Sequence, residues 1–313
     1  MGRYYLSRLS QAIVTVILVV LVVFALLRFM PTAGYFSKEQ FKEMSEQERN
    51  NYLRNMGVLD PTVVQLKNFV VKLFHGDLGR SVTVYPKAEI KDILGDKIKY
   101  SALLNSFSLV VVYILGFSLG IVMSRHKNKW PDQLGTAYVI IMRSVPSIIV
   151  LFFVQFFLSK LFKLPMLFYA NKPQSWILPV ISLSLGSIAG TGIWLRRYLV
   201  DEENKDYIKF AKAKGLSHNY IMVRHILRNA VVPIAIGFPS DILFLISGGL
   251  ITESLYSVPG MGGLLITSIR SLDNPLVQVL VLLFSVLSVA GVFLGDIFVS
   301  FVDPRIKLTA DVE

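Results

Sequence analysis

The sequence predicts an all-α membrane protein, with six transmembrane helices and an external subdomain between helices 1 and 2. Three observations carry that prediction. The chain of 313 residues is 53% hydrophobic and only 17% charged, against roughly a quarter charged in an ordinary soluble domain. Its apolar residues are gathered into uncharged runs at Leu9–Leu27, Ser101–Ser124, Ser144–Ser159, Pro173–Leu195 and Asn274–Gly295, with a sixth, Asn229–Thr252, interrupted only by Asp241. A helix needs about 20 such residues to cross a bilayer core, and in lipid a spanning segment must satisfy its own backbone polar groups. Finally, the basic residues of the termini and short loops fall mainly on one side; the long first loop is also basic, but loops beyond about 60 residues translocate regardless of charge. With the N-terminus inside, the inner segments hold Arg3 and Arg8, Arg125, Lys127 and Lys129, then Arg196, Arg197, Lys205, Lys209, Lys212, Lys214, Arg224 and Arg228, and lastly Arg305 and Lys307. The short outer loops hold Lys163, Lys172 and Arg270. The positive-inside rule therefore places both termini in the cytoplasm.

Taken in order, the first run follows Arg3 and Arg8 and could pass for a secretory signal. It is longer than the roughly 7–15 apolar residues of a signal and ends in Leu-Arg-Phe-Met-Pro without a small-residue cleavage site, so residues 1–30 are expected to form span one. Residues 31–99 are expected to form the extracellular subdomain. Ser37 and Gln40 suit a capping box, with Phe41, Met44, Leu53 and Met56 on an amphipathic helix behind it. A second helix is expected with Asp60 as its cap, Pro61 at its first position and Leu66, Phe69, Val70, Leu73 and Phe74 at helical spacing. Gly76-Asp77-Leu78-Gly79 breaks the chain, and a short helix through Ile90, Ile93 and Leu94 leads into span two. The third run reaches full length only if it begins near Leu134 and accommodates Arg143.

Several classes are excluded by what is missing. Without cysteine there are no disulfides or thiolate metal sites. The net charge of +11 is distributed between spans rather than on a soluble domain, which argues against nucleic acid. The dipeptide Gly-Lys, needed for a phosphate-cradling P-loop, does not occur. His218 and His225 are seven apart with no Glu between them and do not match the i, i+4 metalloprotease pair, and no histidine lies in a predicted span, where an intramembrane serine protease would need one. The sequence thus predicts no catalytic residue, no metal and no cofactor. The absence of a visible internal repeat weakens, without removing, an ion-coupled secondary transporter.

The loop between spans four and five reads Asp206-Tyr-Ile-Lys-Phe-Ala-Lys-Ala-Lys-Gly215-Leu-Ser217-His-Asn-Tyr-Ile-Met-Val-Arg224-His-Ile-Leu-Arg-Asn229-Ala-Val-Val-Pro233. Physically this is two helices and a tight corner. Asp206 suits the positive end of the first helix, and Lys212 and Lys214 suit its negative end. Gly215 stands where a left-handed residue is wanted, and Ser217 is a good cap for the second helix. A solvated basic loop at the lipid surface is the plainer alternative.

This segment resembles the coupling motif (the EAA loop) of binding-protein-dependent ABC importer permeases, most closely the peptide and nickel subgroup. Gly76-Asp-Leu-Gly-x-Ser81, Ser144-x-Pro146, Glu253-x-x-Tyr-Ser-x-Pro-Gly-Met-Gly262 and Asp303-Pro-Arg-Ile306 extend the resemblance over nearly the whole chain. Two positions depart from it: Lys209 stands where the broad family has glutamate, and Phe210 replaces a small residue. The stretch from about Tyr35 to Arg54 is also more charged than the family pattern. The resemblance implies a transmembrane core at residues 100–303, a coupling loop at about 199–229 and a cytoplasmic tail at 304–313. It implies a peptide importer, or a nickel or metallophore importer of the same architecture, in the cell membrane. The implied partners are a second homologous permease in a heterodimer, two ATPase subunits, an extracellular substrate-binding protein and membrane lipid. Ala211, Ala213, Gly215, Leu216 and Ser217 would form the ATPase contact.

Two charges fall inside the runs. Arg143 lies about nine residues into span three and Asp241 about eleven into span five, roughly 13 and 17 Å deep at 1.5 Å per residue. Such charges usually pair or line a wet cavity. Arg143, Ser144 and Asp241 are therefore expected on the translocation path, with Arg143 and Asp241 paired in at least one state. The alternative is that Arg143 snorkels to the interface and Asp241 bonds to backbone.

Overall fold

In the computed structural model, which describes residues 2–302, the expected helices form, and their lengths follow from where the chain can and cannot continue hydrogen bonding. α1 is Gly2–Leu27, and α2 (Lys38–Glu43), α3 (Glu46–Asn55) and α4 (Thr62–Phe74) lie between it and α5 (Ile90–Arg125). Then come α6 (Trp130–Ser144), α7 (Ser147–Phe162), α8 (Ile177–Glu203) and α9 (Asp206–Ala213). α10 covers residues 218–230, followed by α11 (Phe238–Ser247), α12 (Leu250–Tyr256), α13 (Met261–Arg270) and α14 (Asn274–Val302). The motif at Asp303–Ile306 and the tail at 304–313 lie outside the described residues.

Five stretches among the described residues are long and apolar enough to cross a membrane, and α6 with α7 makes a sixth that is bent by 109°. The third predicted run is therefore not one straight helix. Pro146 cannot donate a backbone hydrogen bond and pushes the preceding residue out of the helical region. Val145 accordingly sits extended, at φ −83° and ψ 129°. The bent pair still crosses the bundle. α6 begins beside the end of α8, where Asp132 meets Arg196, and the chain beyond α7 reaches the opposite end, where Phe168 N–H donates to Tyr256 O and its ring packs on Trp176.

That return crossing lets α5 and α8 pack parallel along their length. Ser184 Oγ donates to Ser108 O, and a Cβ on Gly120 would lie 2.8 Å from the carbonyl of Gly192. In lipid, where apolar burial no longer drives helices together, small residues at such crossings permit the close approach that does. α11 runs antiparallel to α5 (Asn105 Nδ2 to Leu245 O, 3.0 Å), and α1 antiparallel to α14 (Arg8 to Asp296, 3.4 Å; Arg28 to Gln278, 3.1 Å). Span five departs from its expected limits. It starts at Phe238 rather than Asn229, because the chain turns at Val231 and Gly237, and it breaks again at Gly248, whose φ is +72°.

The subdomain corrects three local expectations. The helix expected behind Ser37 is two helices, each with its own capping box, at Ser37–Gln40 and Ser45–Glu48. Asp60 does not cap α4; its carbonyl accepts from Gln65 Nε2, and the cap position is Pro61, which offers no side-chain bond. The short helix through Ile90 is the first turn of α5, with no break near residue 99.

One buried carboxylate fastens this subdomain to the bundle. Asp273, at the start of α14, accepts from Ser81 Oγ at 2.5 Å and from the backbone N–H groups of Val82, Thr83 and Val84 at 3.0–3.1 Å. Asn274 Nδ2 adds a bond to Pro31 O. Around this point Ile90, Ile93 and Leu94 pack with Met261, Leu264, Leu276 and Leu280. Replacing Asp273 by alanine would strand several buried donors, each costing about 1–3 kcal/mol. We expect Asp273→Ala to destabilise the purified protein by about 3 kcal/mol or more, read as a lowered unfolding temperature with faster proteolysis in the 80–87 loop. An unchanged midpoint would show that the carboxylate is not the fastening.

Candidate functional site

The loop between α8 and α11 folds as a solid elbow. α9 places Asp206 in its first turn and Lys212 in its last. Gly215 then takes φ +78°, a conformation that costs residues with a Cβ about 1–2 kcal/mol, and Ser217 Oγ accepts from Tyr220 N–H to begin α10. The inner faces of both helices close over the end of α8. Ile208, Ile221 and Ile226 are fully buried against Leu195 and Leu199, together with Ala211, Met222 and Ala230. Burial of each isoleucine is worth about 1.5–3 kcal/mol where the alternative is water. α10 carries a π-type turn at Met222–Leu227, which shifts the register of its buried face.

Polar contacts complete the clamp. Asn229 Nδ2 donates to Glu202 Oε1 at 3.1 Å and to Tyr207 Oη at 2.7 Å, and Tyr207 Oη bonds to Glu202 in turn. Lys212 reaches Glu203 at 3.0 Å. The hydrogen bond from Lys209 at 2.8 Å holds the Asp206 carboxylate below its ordinary pKa. Beside the elbow, Arg196 grips Asp132 through both Nε and Nη2, at 2.5 and 2.6 Å, joining α8 to α6.

Of the predicted contact residues, Ala213, Gly215, Leu216 and Ser217 stand exposed at the corner. Ala211 does not: it is 8% exposed and packed into the elbow's own core, because in an eight-residue helix only one side can face α8. Phe210, by contrast, is 62% exposed, with Lys214 Nζ 4.6 Å from its ring centre.

Next to the elbow, between α5, α8 and α11, lies a cavity of about 570 Å³. Asp241 is on its wall and accepts from Tyr113 Oη at 2.6 Å. Asn105, Ser187, Thr191, Trp194 and Phe244 share the lining, with Tyr198 and Pro233 connecting it to the elbow. Arg143 and Asp241 are not brought together. Arg143 and Ser144 are exposed at the end of α6, and Arg143 makes no ion pair among the described residues. The residues that sequence reasoning missed are Tyr113, Asn105 and Trp194; the first two were legible as the large polar groups of the uncharged run Ser101–Ser124.

The third feature is Glu253, fully buried. Its carboxylate accepts from Ser101 Oγ (2.7 Å), Gly249 N–H (3.2 Å), Gly262 N–H (2.8 Å) and Gly263 N–H (3.1 Å), while Ser101 Oγ accepts from Met261 N–H. The otherwise unpaired N–H groups that open α13 are thus satisfied from α12 and α5. A Cβ at Gly260 would overlap the carboxylate, which gives the Pro-Gly-Met-Gly sequence its physical reason.

Comparison with known proteins follows the same outline. The pattern of the family described as "Binding-protein-dependent transport system inner membrane component" matches residues 116–308. The oligopeptide transport system permease protein AmiC of Streptococcus pneumoniae is 39% identical over 212 residues, 67% of this chain; the match spans only 42% of AmiC's length. The dipeptide transport system permease protein DppB of Bacillus subtilis is 26% identical over 98% of this chain and 99% of its own. The glutathione transport system permease protein GsiC of Shigella flexneri is 27% identical over the same shares.

The Asp132–Arg196 pair gives a stability test. Removing one partner of a buried pair leaves an uncompensated charge and costs about 3–5 kcal/mol, whereas replacing both by apolar groups is far milder. Asp132→Ala should lower stability by about 3 kcal/mol, the low end because Arg196 keeps some contact with solvent. Asp132→Leu combined with Arg196→Met should recover most of that loss in thermal unfolding. A double variant as unstable as the sum of the singles would contradict the pairing.

Proposed function

The chain belongs to the inner-membrane components of binding-protein-dependent transport systems, and from that premise we propose that it is a permease subunit of an ATP-driven importer, forming half of the translocation path for peptides delivered by an extracellular binding protein. The observation that carries this reading is the elbow. Its exposed corner is rigidly seated on α8 by apolar packing and by the Glu202–Tyr207–Asn229 network, so a displacement of the corner is passed to α8 rather than absorbed. The substrates named for the three relatives are oligopeptides, dipeptides and glutathione, the last itself a small peptide.

In this reading two separate ATPase subunits hydrolyse ATP, and one receives the corner of each permease. Ala213, Gly215, Leu216 and Ser217 form the contact with Phe210 beside them, and Ala211 positions it from within. A second, homologous permease completes the path, with Arg143 and Ser144 facing it. Closing of the ATPase pair then rotates the spans between inward- and outward-open packings. Both termini and the elbow are cytoplasmic, and the subdomain between α1 and α5 is outside the cell membrane.

Two experiments test it. Gly215→Val forces a β-branched residue into the left-handed region, a true outlier, while a Cβ there meets nothing within 4 Å. Transport should fall about tenfold or more in a complex that still assembles; normal transport with normal ATPase stimulation would exclude the elbow as the linkage. For orientation, single cysteines on this cysteine-free background can be probed with an impermeant maleimide in intact cells. Asp60→Cys and Pro173→Cys should label and Lys127→Cys and Lys212→Cys should not; the reverse would overturn the topology.

A further inference from the structure

Asp241, in the first turn of α11, has no ion-pair partner among the described residues. From Tyr113, its partner on α5, the helix runs twelve residues to Arg125, about 18 Å, so the carboxylate lies deep between the two ends of the bundle. Among the described residues its only side-chain hydrogen bond is from Tyr113 Oη, and no lysine, arginine or histidine lines the cavity. Arg197, next to the lining residue Tyr198, stands over the Trp194 ring at 5.3 Å and reaches toward Asp201 at 3.9 Å. A carboxylate at this depth normally pairs or faces a wet path. Here the walls around it carry the aromatic rings of Tyr113 and Phe244 and neutral polar groups (Asn105, Ser187).

A carboxylate among aromatic faces is the chemistry that recognises an ammonium group. The carboxylate gives a charge-assisted hydrogen bond, the rings attract a cation through their faces, and the hydroxyl and amide groups take the remaining N–H donors. We propose that Asp241, positioned by Tyr113, forms a transient site for the primary ammonium group of the substrate as it passes through the cavity. The inference rests on the peptide-import reading, since a peptide with a free N-terminus carries such a group at neutral pH. A site on a path must also release its ligand, so a single carboxylate without a second fixed anion fits passage better than tight retention.

The test uses the assembled importer and the absence of native cysteine. With Ser187→Cys in the cavity, modification rates are compared for a methanethiosulfonate carrying trimethylammonium and one carrying sulfonate. Adding Asp241→Asn should lower the cationic-to-anionic rate ratio about tenfold, whereas Asp241→Glu, which keeps the charge, should preserve it. An unchanged ratio in Asp241→Asn overturns the site, as it would if the second permease supplied a compensating cation. In proteoliposomes, Asp241→Asn should cut uptake of a free tripeptide about tenfold while ATPase stimulation by the loaded binding protein is retained; unchanged uptake overturns the role. A wild-type complex that imports no peptide, whatever its rate ratio, overturns the import reading and with it the assignment of the ammonium to substrate.

Discussion

Much of the bundle depends on how the chain survives a buried break in helix. Between α12 and α13 the backbone leaves helical geometry, and burial shuts out the water that would otherwise satisfy its polar groups. The Glu253 carboxylate meets that need, accepting from Gly249, Gly262 and Gly263 and from Ser101, which itself accepts from Met261. The same short segment reaches the rest of the bundle. Tyr256 Oη bonds to Ser182 on α8, Tyr256 O accepts from Phe168 N–H, and Leu255 O accepts from the buried Gln155 on α7. A single segment therefore registers α5, α7, α8 and α13 against one another. Because each of these bonds replaces water that cannot enter, their arrangement has little freedom to drift.

Asp273 does at the subdomain end what Glu253 does within the bundle. It gathers Ser81 and three successive N–H groups of the 82–84 turn, so Ser81 of the Gly76-Asp-Leu-Gly-x-Ser81 motif is a docking residue as well as a turn residue. At the opposite end the elbow is held chiefly by apolar packing. Outside lipid that packing regains the hydrophobic driving force it lacks between spans. The two ends of the bundle thus differ in what fastens them: buried carboxylates that each accept several hydrogen bonds at one, and apolar packing at the other. The proposed ATPase contact rests on the second, and α8 runs from it to the first.

The sequence alone determined the class, the crossings and the corner. Runs of uncharged residues long enough to span a bilayer have no soluble explanation, and their number follows from counting. Gly215 and Ser217 were legible because each acts locally: a left-handed φ and an N-cap bond involve neighbours within three residues. The bend at Val145–Pro146 was equally local, and treating the third run as one span overlooked what a proline does to the residue before it.

Tertiary structure decided whatever depends on which groups meet across the bundle. Asp241 and Arg143 could each be placed at a depth, but a helix sets depth without fixing which neighbour its side chain faces. The packing of α11 against α5 brings Asp241 to Tyr113, 128 positions away, and leaves Arg143 exposed on α6. Ala211 read as a contact residue because small residues suit close approach, a property that serves the elbow's own core equally well. Glu253 and Asp273 stood in plain view as acids beside glycine-rich or polar turns. Their roles required partners 152 and 192 residues away, Ser101 and Ser81, and only the folded chain brings those together.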